Sequence, residues 1–241
     1  MTLDRALDAA EAALGDLTPL DDFVLWSEWA LARVGFRPSN CLPVVAICRD
    51  ELMGDTEDAL SATWGRSFNV GSLAGMVLAG RTGLAAALGH VPGEDGRHRF
   101  TTFSLPHIGI DEDGVIGRVQ RRGMHRESSA CGALVGLLED LADGPAPAGV
   151  DPDDVERSLL HQRVASVLEV GRTPSLVELT ETVRDTAVDD IRRYIDLARA
   201  AEPVDVAYLS GIVVHLPGLD DHVARVCSDV VIDGVRIPLP H

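Results

Sequence analysis

The sequence predicts an α/β protein: a central, mostly parallel β-sheet flanked by helices, with a helical segment at the N-terminus. Three observations predict it. Short apolar runs such as 42–48 and 204–216 are rich in β-branched residues and bounded by breakers, as buried strands are. Longer stretches of helical period lie between them. Strands alternating with helices in this way build a parallel sheet. A chain of 241 residues, 46% hydrophobic, suits one domain with an appendage. The division expected is a helical segment over 1–40 and a single α/β domain over 41–241, with an internal linker at 143–152.

Residues 2–34 read as helical, with Leu3, Leu7, Ala10 and Leu14 near one face and Phe23, Trp26, Trp29 and Leu31 continuing the pattern. Phe36 to Asn40, which contains Pro38, ends it. A buried strand follows at 42–48, then a helix from Glu51 to Trp64. Residues 65–93 are rich in Gly and Ala, which let backbones approach closely. Arg99 to Ile110 alternates and reads as a second strand, with a turn at Asp111–Gly114 and a short return over 115–119. Ser128 to Leu141 reads as a helix capped by Ser128 and Ser129 and ended by Asp143-Gly144-Pro145. Beyond the Pro- and Gly-rich stretch at 143–152, residues 153–170 and 175–201 read as helices, and 204–216 and 226–239 as strands. Asp233-Gly234 marks a hairpin in the last of these.

Charge narrows the partners. The net charge is −17, and all 21 basic residues are Arg. A sequence pI near 4.7 argues against nucleic acid or an anionic membrane as partner. No export signal is visible, and the most apolar stretch, 70–80, is too short to span a bilayer. Four cysteines in a chain of this length make no disulfide framework, so reduced thiols in a cytoplasm are expected.

The chemistry concentrates at Cys48, His107 and Cys131. Cys48 closes the first buried strand, His107 follows Phe103-Ser104-Leu105-Pro106, and Cys131 opens a helix. Ligands of open α/β sheets collect at the carboxyl ends of strands. A helix N-terminus favours a thiolate. All three local readings therefore place these residues on one side of one sheet. Two thiolates and one imidazole suit zinc, and three protein ligands leave the fourth position open, as in catalytic zinc sites. Asp50 lies two residues after Cys48, close enough to guard that position. A different chemistry stays open on the residues alone: Cys131 as a nucleophile with His107 as its base.

Four phrases carry a resemblance. They are Cys48-Arg49-Asp50-Glu51, Phe68-Asn69-Val70-Gly71, Phe103-Ser104-Leu105-Pro106-His107-Ile108 and Ser128-Ser129-Ala130-Cys131-Gly132-Ala133-Leu134. In this order they resemble the limiting-CO2-inducible B/C family of β-carbonic-anhydrase-like proteins, over about Leu42 to Leu141 and more loosely in the C-terminal strands. The resemblance implies zinc held by Cys48, His107 and Cys131, an Asp–Arg pair containing Asp50, and a homodimer with active sites near the interface. It implies reversible hydration of carbon dioxide to bicarbonate. Ordinary β-carbonic anhydrases read Cys-x-Asp-x-Arg, but position 52 here is Leu. Arg49 and Arg81 are the nearby candidates to pair with Asp50, and Arg49 is the one expected. Two further readings share the site: a zinc hydrolase of carbonyl sulfide or carbon disulfide, and a silent zinc sensor or scaffold in which Asp50 closes the metal.

Other residues point to bland roles. The glycines at 71, 75, 80 and 83 lack the Lys of a phosphate loop and read as close packing beneath the site. Asp111 to Gly114 reads as a turn, not a calcium loop. Arg118, Arg121, Arg122 and Arg126 read as a solvated basic loop, His90 as a surface histidine, and Cys41 and Cys227 as core thiols. His215, His222 and His241 suggest no cluster.

Overall fold

Alternation along one strand explains why the sheet is covered on both faces. In the computed structural model, β2 (Leu42–Ile47) sends Val45 and Ile47 to one side and Val44 and Ala46 to the other. The first side packs under α2 (Leu20–Ala32), α3 (Gly54–Trp64) and α5 (Gly132–Asp143), through Phe23, Leu31, Leu60, Trp64 and Leu134. The second packs under α4 (Gly80–Leu88) and α7 (Leu176–Ala198), through Leu84, Ala87, Ala187 and Ile191. Strands buried on both faces need continuous apolar runs. That is why β8 (Val204–His215) is buried at every position. The structure describes residues 2–93, 96–144, 149–169, 172–198 and 204–239.

The sheet runs β1-β9-β8-β4-β2-β3. Its parallel part comprises β3 (Phe68–Asn69), β2, β4 (His98–Leu105) and β8, with β5 (His107–Gly109) also parallel to β8. The long β9 (His222–Ile232) pairs antiparallel with β8 and with β1 (Leu17–Pro19) and β10 (Val235–Ile237). A two-stranded ribbon, β6 (Arg118–Val119) with β7 (Ser128–Ser129), stands beside it. The remaining helices are α1 (Thr2–Leu14) and α6 (Val155–Ala165). The fold class is the one expected: a mainly parallel sheet between helices.

Several local expectations change. The N-terminal segment is two helices, because Gly15 turns the chain at φ 80° and Leu17–Pro19 then pairs with β9. Ala6, Ala10 and Leu14 of α1 pack on Ile108, Ile212 and Val214. The strand expected over 99–110 breaks at Pro106, which has no N–H for the ladder, although its carbonyl still accepts from Val213 N at 2.9 Å. Ser128 and Ser129 form β7, and Cys131 is the N-cap of α5. The Asp111 turn holds, with Oδ1 accepting from the N–H of Asp113 and of Val115 at 3.0 and 2.7 Å. Asp233 and Gly234 take φ 53° and 76°, the two positive values a tight hairpin of this kind needs. Residues 145–148 of the expected linker, the helix ends at 170 and 199–201, and His241 lie outside the described residues.

Candidate metal centre

β2, β4 and β8 run parallel, so their carboxyl ends open on the same edge. Cys48 leaves β2 there. His107 begins β5 just past Pro106, on the face that Phe103 and Leu105 also occupy. Cys131 reaches the same place from the start of α5, after a cis peptide bond from Ala130. The three side chains, drawn from positions up to 83 residues apart, are 6%, 0% and 1% exposed. Their ligand atoms all lie within 4.8 Å of one another, a group able to hold a metal ion.

The donor set fits zinc on two counts. Sulfurs bonded at about 2.3 Å in a tetrahedral arrangement stand roughly 3.8 Å apart, and the Cys48 and Cys131 Sγ atoms are 3.6 Å apart. His107 Nε2 is buried and has no hydrogen-bond partner among the described residues. An orphaned buried ring nitrogen is costly unless something else takes its lone pair. The two thiols share one hydrogen bond. The hydrogen bond from Cys131 brings the Cys48 thiol down to about 4, against the resistance of burial. Cys131, which gives that hydrogen bond and is also buried, is pushed well above the usual thiol range. One thiolate is thus ready-made, and a divalent cation would supply the charge that draws off the second proton.

Asp50 sits at the rim. Its Oδ2 is 3.8 Å from His107 Nε2. The expectation that Arg49 pairs with it is not met. Arg49 points away and binds Glu156, with Nη2 to Oε1 at 2.7 Å and Nε at 3.1 Å from both carboxylate oxygens. Adjacent side chains in an extended stretch diverge, so Arg49 cannot easily turn back on its neighbour. The partner is Arg121, from the supposedly solvated basic loop. Its Nη1 and Nη2 donate to Asp50 Oδ1 and Oδ2 at 2.7 and 2.8 Å. Nε donates to Ser128 Oγ at 2.7 Å, Nη2 to the Ser129 carbonyl at 3.1 Å, and Nη1 also to Glu51. A guanidinium has five N–H donors, and each one here has an acceptor. The β6–β7 ribbon therefore fixes the arginine, and the arginine fixes the carboxylate. Burial opposes ionisation of Asp50, but the Arg121 bonds, the Leu52 N–H and the nearby charges prevail and hold it well below the usual carboxylate range.

His215, which sequence reasoning left aside, joins the site. In the β5–β8 register His107 faces Val213, and His215 lies two residues further on the same face. His107 Nδ1 is 2.9 Å from His215 Nε2, and His215 Nδ1 is 2.6 Å from Asp221 Oδ1. A cavity of about 500 Å³ opens beside this cluster, lined in part by Cys48, Asp50, Glu51, Asn69 and Gly71. Gly71 is required there: a Cβ would stand 2.2 Å from the Ile47 carbonyl oxygen. That agrees with the close packing read from the glycine-rich stretch.

A mainly parallel α/β fold with two thiols and an imidazole gathered at the carboxyl ends of its strands defines the class. The chain belongs to the limiting CO2-inducible proteins B/C β-carbonic anhydrase family, whose profile matches residues 17–231. Among solved structures it is similar to PtLCIB4, a homolog of limiting CO2-inducible protein LCIB, with a TM-score of 0.83 and 23% identity over 98% of this chain and 100% of that one. It is also similar to LCIB itself, with a TM-score of 0.76 and 29% identity over 95% and 96% of the two chains. No curated protein sequence matches significantly. Among the described residues, no helix is long and apolar enough to cross a membrane.

Proposed function

We propose that the protein is a zinc-dependent carbonic anhydrase that interconverts carbon dioxide and bicarbonate. Cys48, His107 and Cys131 would hold the metal, and Asp50 with Arg121 would form the acid–base apparatus beside it. The observation that carries this reading is the pairing of a buried two-thiol, one-imidazole cluster with a carboxylate whose position is fixed from outside. Zinc at such a site supplies the lowering of a water's pKa to about 7, which makes a nucleophile available near neutral pH.

The chain's own residues do the rest. Asp50 stays ionised and therefore accepts hydrogen bonds without donating them. Its Oδ1 is committed to Arg121 and the Leu52 N–H, whereas Oδ2 takes one bond from Arg121 and keeps acceptor capacity on the side of His107. A water in the cavity that donates to Oδ2 turns a lone pair toward carbon dioxide. Arg121 holds both carboxylate oxygens, which opposes the rotation Asp50 would need to close the metal as a fourth ligand. The silent-sensor reading depends on that rotation and is disfavoured. Carbon dioxide is neutral, so the acidic rim formed by Glu51 and Glu57 does not repel it. The family likeness also supports a homodimer, which light scattering on the purified chain would test.

The test is stopped-flow carbon dioxide hydration by the zinc-loaded chain, run beside Arg121→Lys. Turnover in the first and a large loss at retained zinc in the second is the expected result. One zinc per chain with no hydration by either protein would contradict the proposal and return carbonyl sulfide or carbon disulfide as substrates to assay.

A further inference from the structure

Resting on the zinc reading above, we propose that Asp221 and His215 set the tautomer of His107 and so present the metal with a bare Nε2. The positions of the protons along a buried chain of three side chains carry it. Exposure of the three side chains is 0% for His107, 6% for His215 and 13% for Asp221. An ionised carboxylate only accepts, so the 2.6 Å contact requires a proton on His215 Nδ1. A neutral His215 with its proton on Nδ1 has only a lone pair on Nε2. The 2.9 Å contact then requires His107 Nδ1 to donate. A neutral His107 with its proton on Nδ1 leaves Nε2 unprotonated, and that is the buried atom for which no hydrogen-bond partner exists among the described residues. With both imidazoles neutral, the two contacts place the protons in sequence, and the atom left bare is the one a metal needs.

Chain position explains how the relay is built. β8 pairs with β5 and delivers His215 at its final residue, on the His107 face. The turn into β9 then supplies Asp221 six residues later. That residue is anchored in its turn, because its carbonyl accepts from Leu20 N at 2.9 Å at the start of α2. The near-perpendicular His107 and His215 rings, at 77° with centroids 5.1 Å apart, aim the nitrogen of one at the nitrogen of the other without stacking. His215 and Asp221 touch no substrate. They are positioning residues, of the outer-shell kind whose loss ordinarily weakens metal binding about 10–100-fold.

Two readouts on the full chain test this, and only one of them needs zinc. Long-range proton–nitrogen NMR of the 15N-histidine protein reports which ring nitrogen of His107 carries the proton in the zinc-free state. Chelator competition reports zinc affinity. The expected wild-type pattern is a protonated Nδ1 and a bare Nε2 on His107. In Asp221→Asn the carboxamide N–H can donate to His215 Nδ1, which reverses both bonds of the chain. His107 then shifts toward the Nε2–H form, and zinc binds about 10–100-fold more weakly. His215→Gln offers an amide oxygen to His107 Nδ1 and should keep both the tautomer and the affinity. In that background Asp221→Asn should add no further loss, which a general packing defect would not reproduce. A wild-type His107 protonated on Nε2, or an Asp221→Asn variant with unchanged tautomer and affinity, would overturn the proposal. The expected tautomer in a wild-type chain that fails to bind zinc would uphold the relay and sink the zinc reading instead.

Discussion

Cys41 immediately precedes β2 and Cys48 immediately follows it, and both are buried, at 3% and 6% exposure. Burial pushes the Cys41 thiol up to about 11, with the neighbouring hydrogen bonds too weak to offset it. The Cys131 hydrogen bond brings Cys48 down to about 4. One residue type on one strand is an inert thiol at one end and a thiolate at the other. What differs is the company each end of a parallel sheet collects. At the amino end the charges are paired for structure: Asp205 is 2% exposed, accepts from Arg97 at 2.6 and 2.7 Å and from the Asp233 N–H at 3.1 Å, and lies near Arg99. At the carboxyl end Cys48 and Asp50 line an open cavity, and behind them His107 and His215 are buried, with His107 Nε2 lacking a hydrogen-bond partner among the described residues.

The comparison can be broken most directly by exchanging the cysteines' chemistry. Cys48→Ser should abolish zinc binding outright, because an alcohol is not deprotonated as a thiol is. Cys41→Ala should keep full zinc and lose only about 1 kcal/mol of stability, as small truncations in a core do. Metal analysis and thermal unfolding on the two variants check this.

The arginines give the next largest contrast. Arg121→Ala should keep zinc and lower the hydration rate about 100-fold or more, on the scale of a misplaced acid–base group. Arg49→Ala removes a half-exposed pair with Glu156 and should change the rate less than about threefold, since such pairs contribute little.

At the other end of the sheet, Asp205→Asn leaves Arg97 and Arg99 facing a neutral amide. Breaking a buried ion pair costs about 3 kcal/mol or more. The variant should unfold earlier in urea while its folded fraction retains zinc, and loss of zinc from folded protein would show that the two ends are not independent.

Smaller effects follow from protonation. In a Cys227→Ser background, an alkylating reagent near pH 7 should modify Cys48 of the zinc-free protein and spare Cys41, whose thiol ionises only near pH 11. Zinc should protect Cys48, as mass spectrometry of the labelled peptides would show. Asp50, held below its ordinary range, adds stability that is fully present above its unfolded pKa of about 3.9 and is lost as pH falls through the folded value. Arg121→Ala should flatten that acid limb of the stability curve.

Local pattern was enough to find what lies at strand ends. Cys48, His107 and Cys131 were legible because each adjoins an element whose hydrophobic period is plain, and Asp50 because it lies two residues from Cys48. Arg121 was hidden among four arginines in one loop. Only the β6–β7 pairing, Arg118 with Ser129 and Val119 with Ser128, turns that one into the site. His215 was hidden for another reason. It ends a strand buried along its whole length, and its approach to His107 depends on a parallel register between residues 108 apart. No local period encodes such a register. β1 reads as part of a helix because three residues flanked by helical pattern carry no signal of their own until β9 is there to pair with them.

On the proposed function, the carboxyl end of this sheet holds zinc and the amino end does not. Elemental analysis of chain purified without chelator, for the wild type, Cys48→Ser and Cys41→Ala, tests it most directly. About one zinc per chain is expected in the wild type and in Cys41→Ala, and none in Cys48→Ser. A wild type without zinc after reconstitution, or stoichiometric zinc in Cys48→Ser, would contradict it.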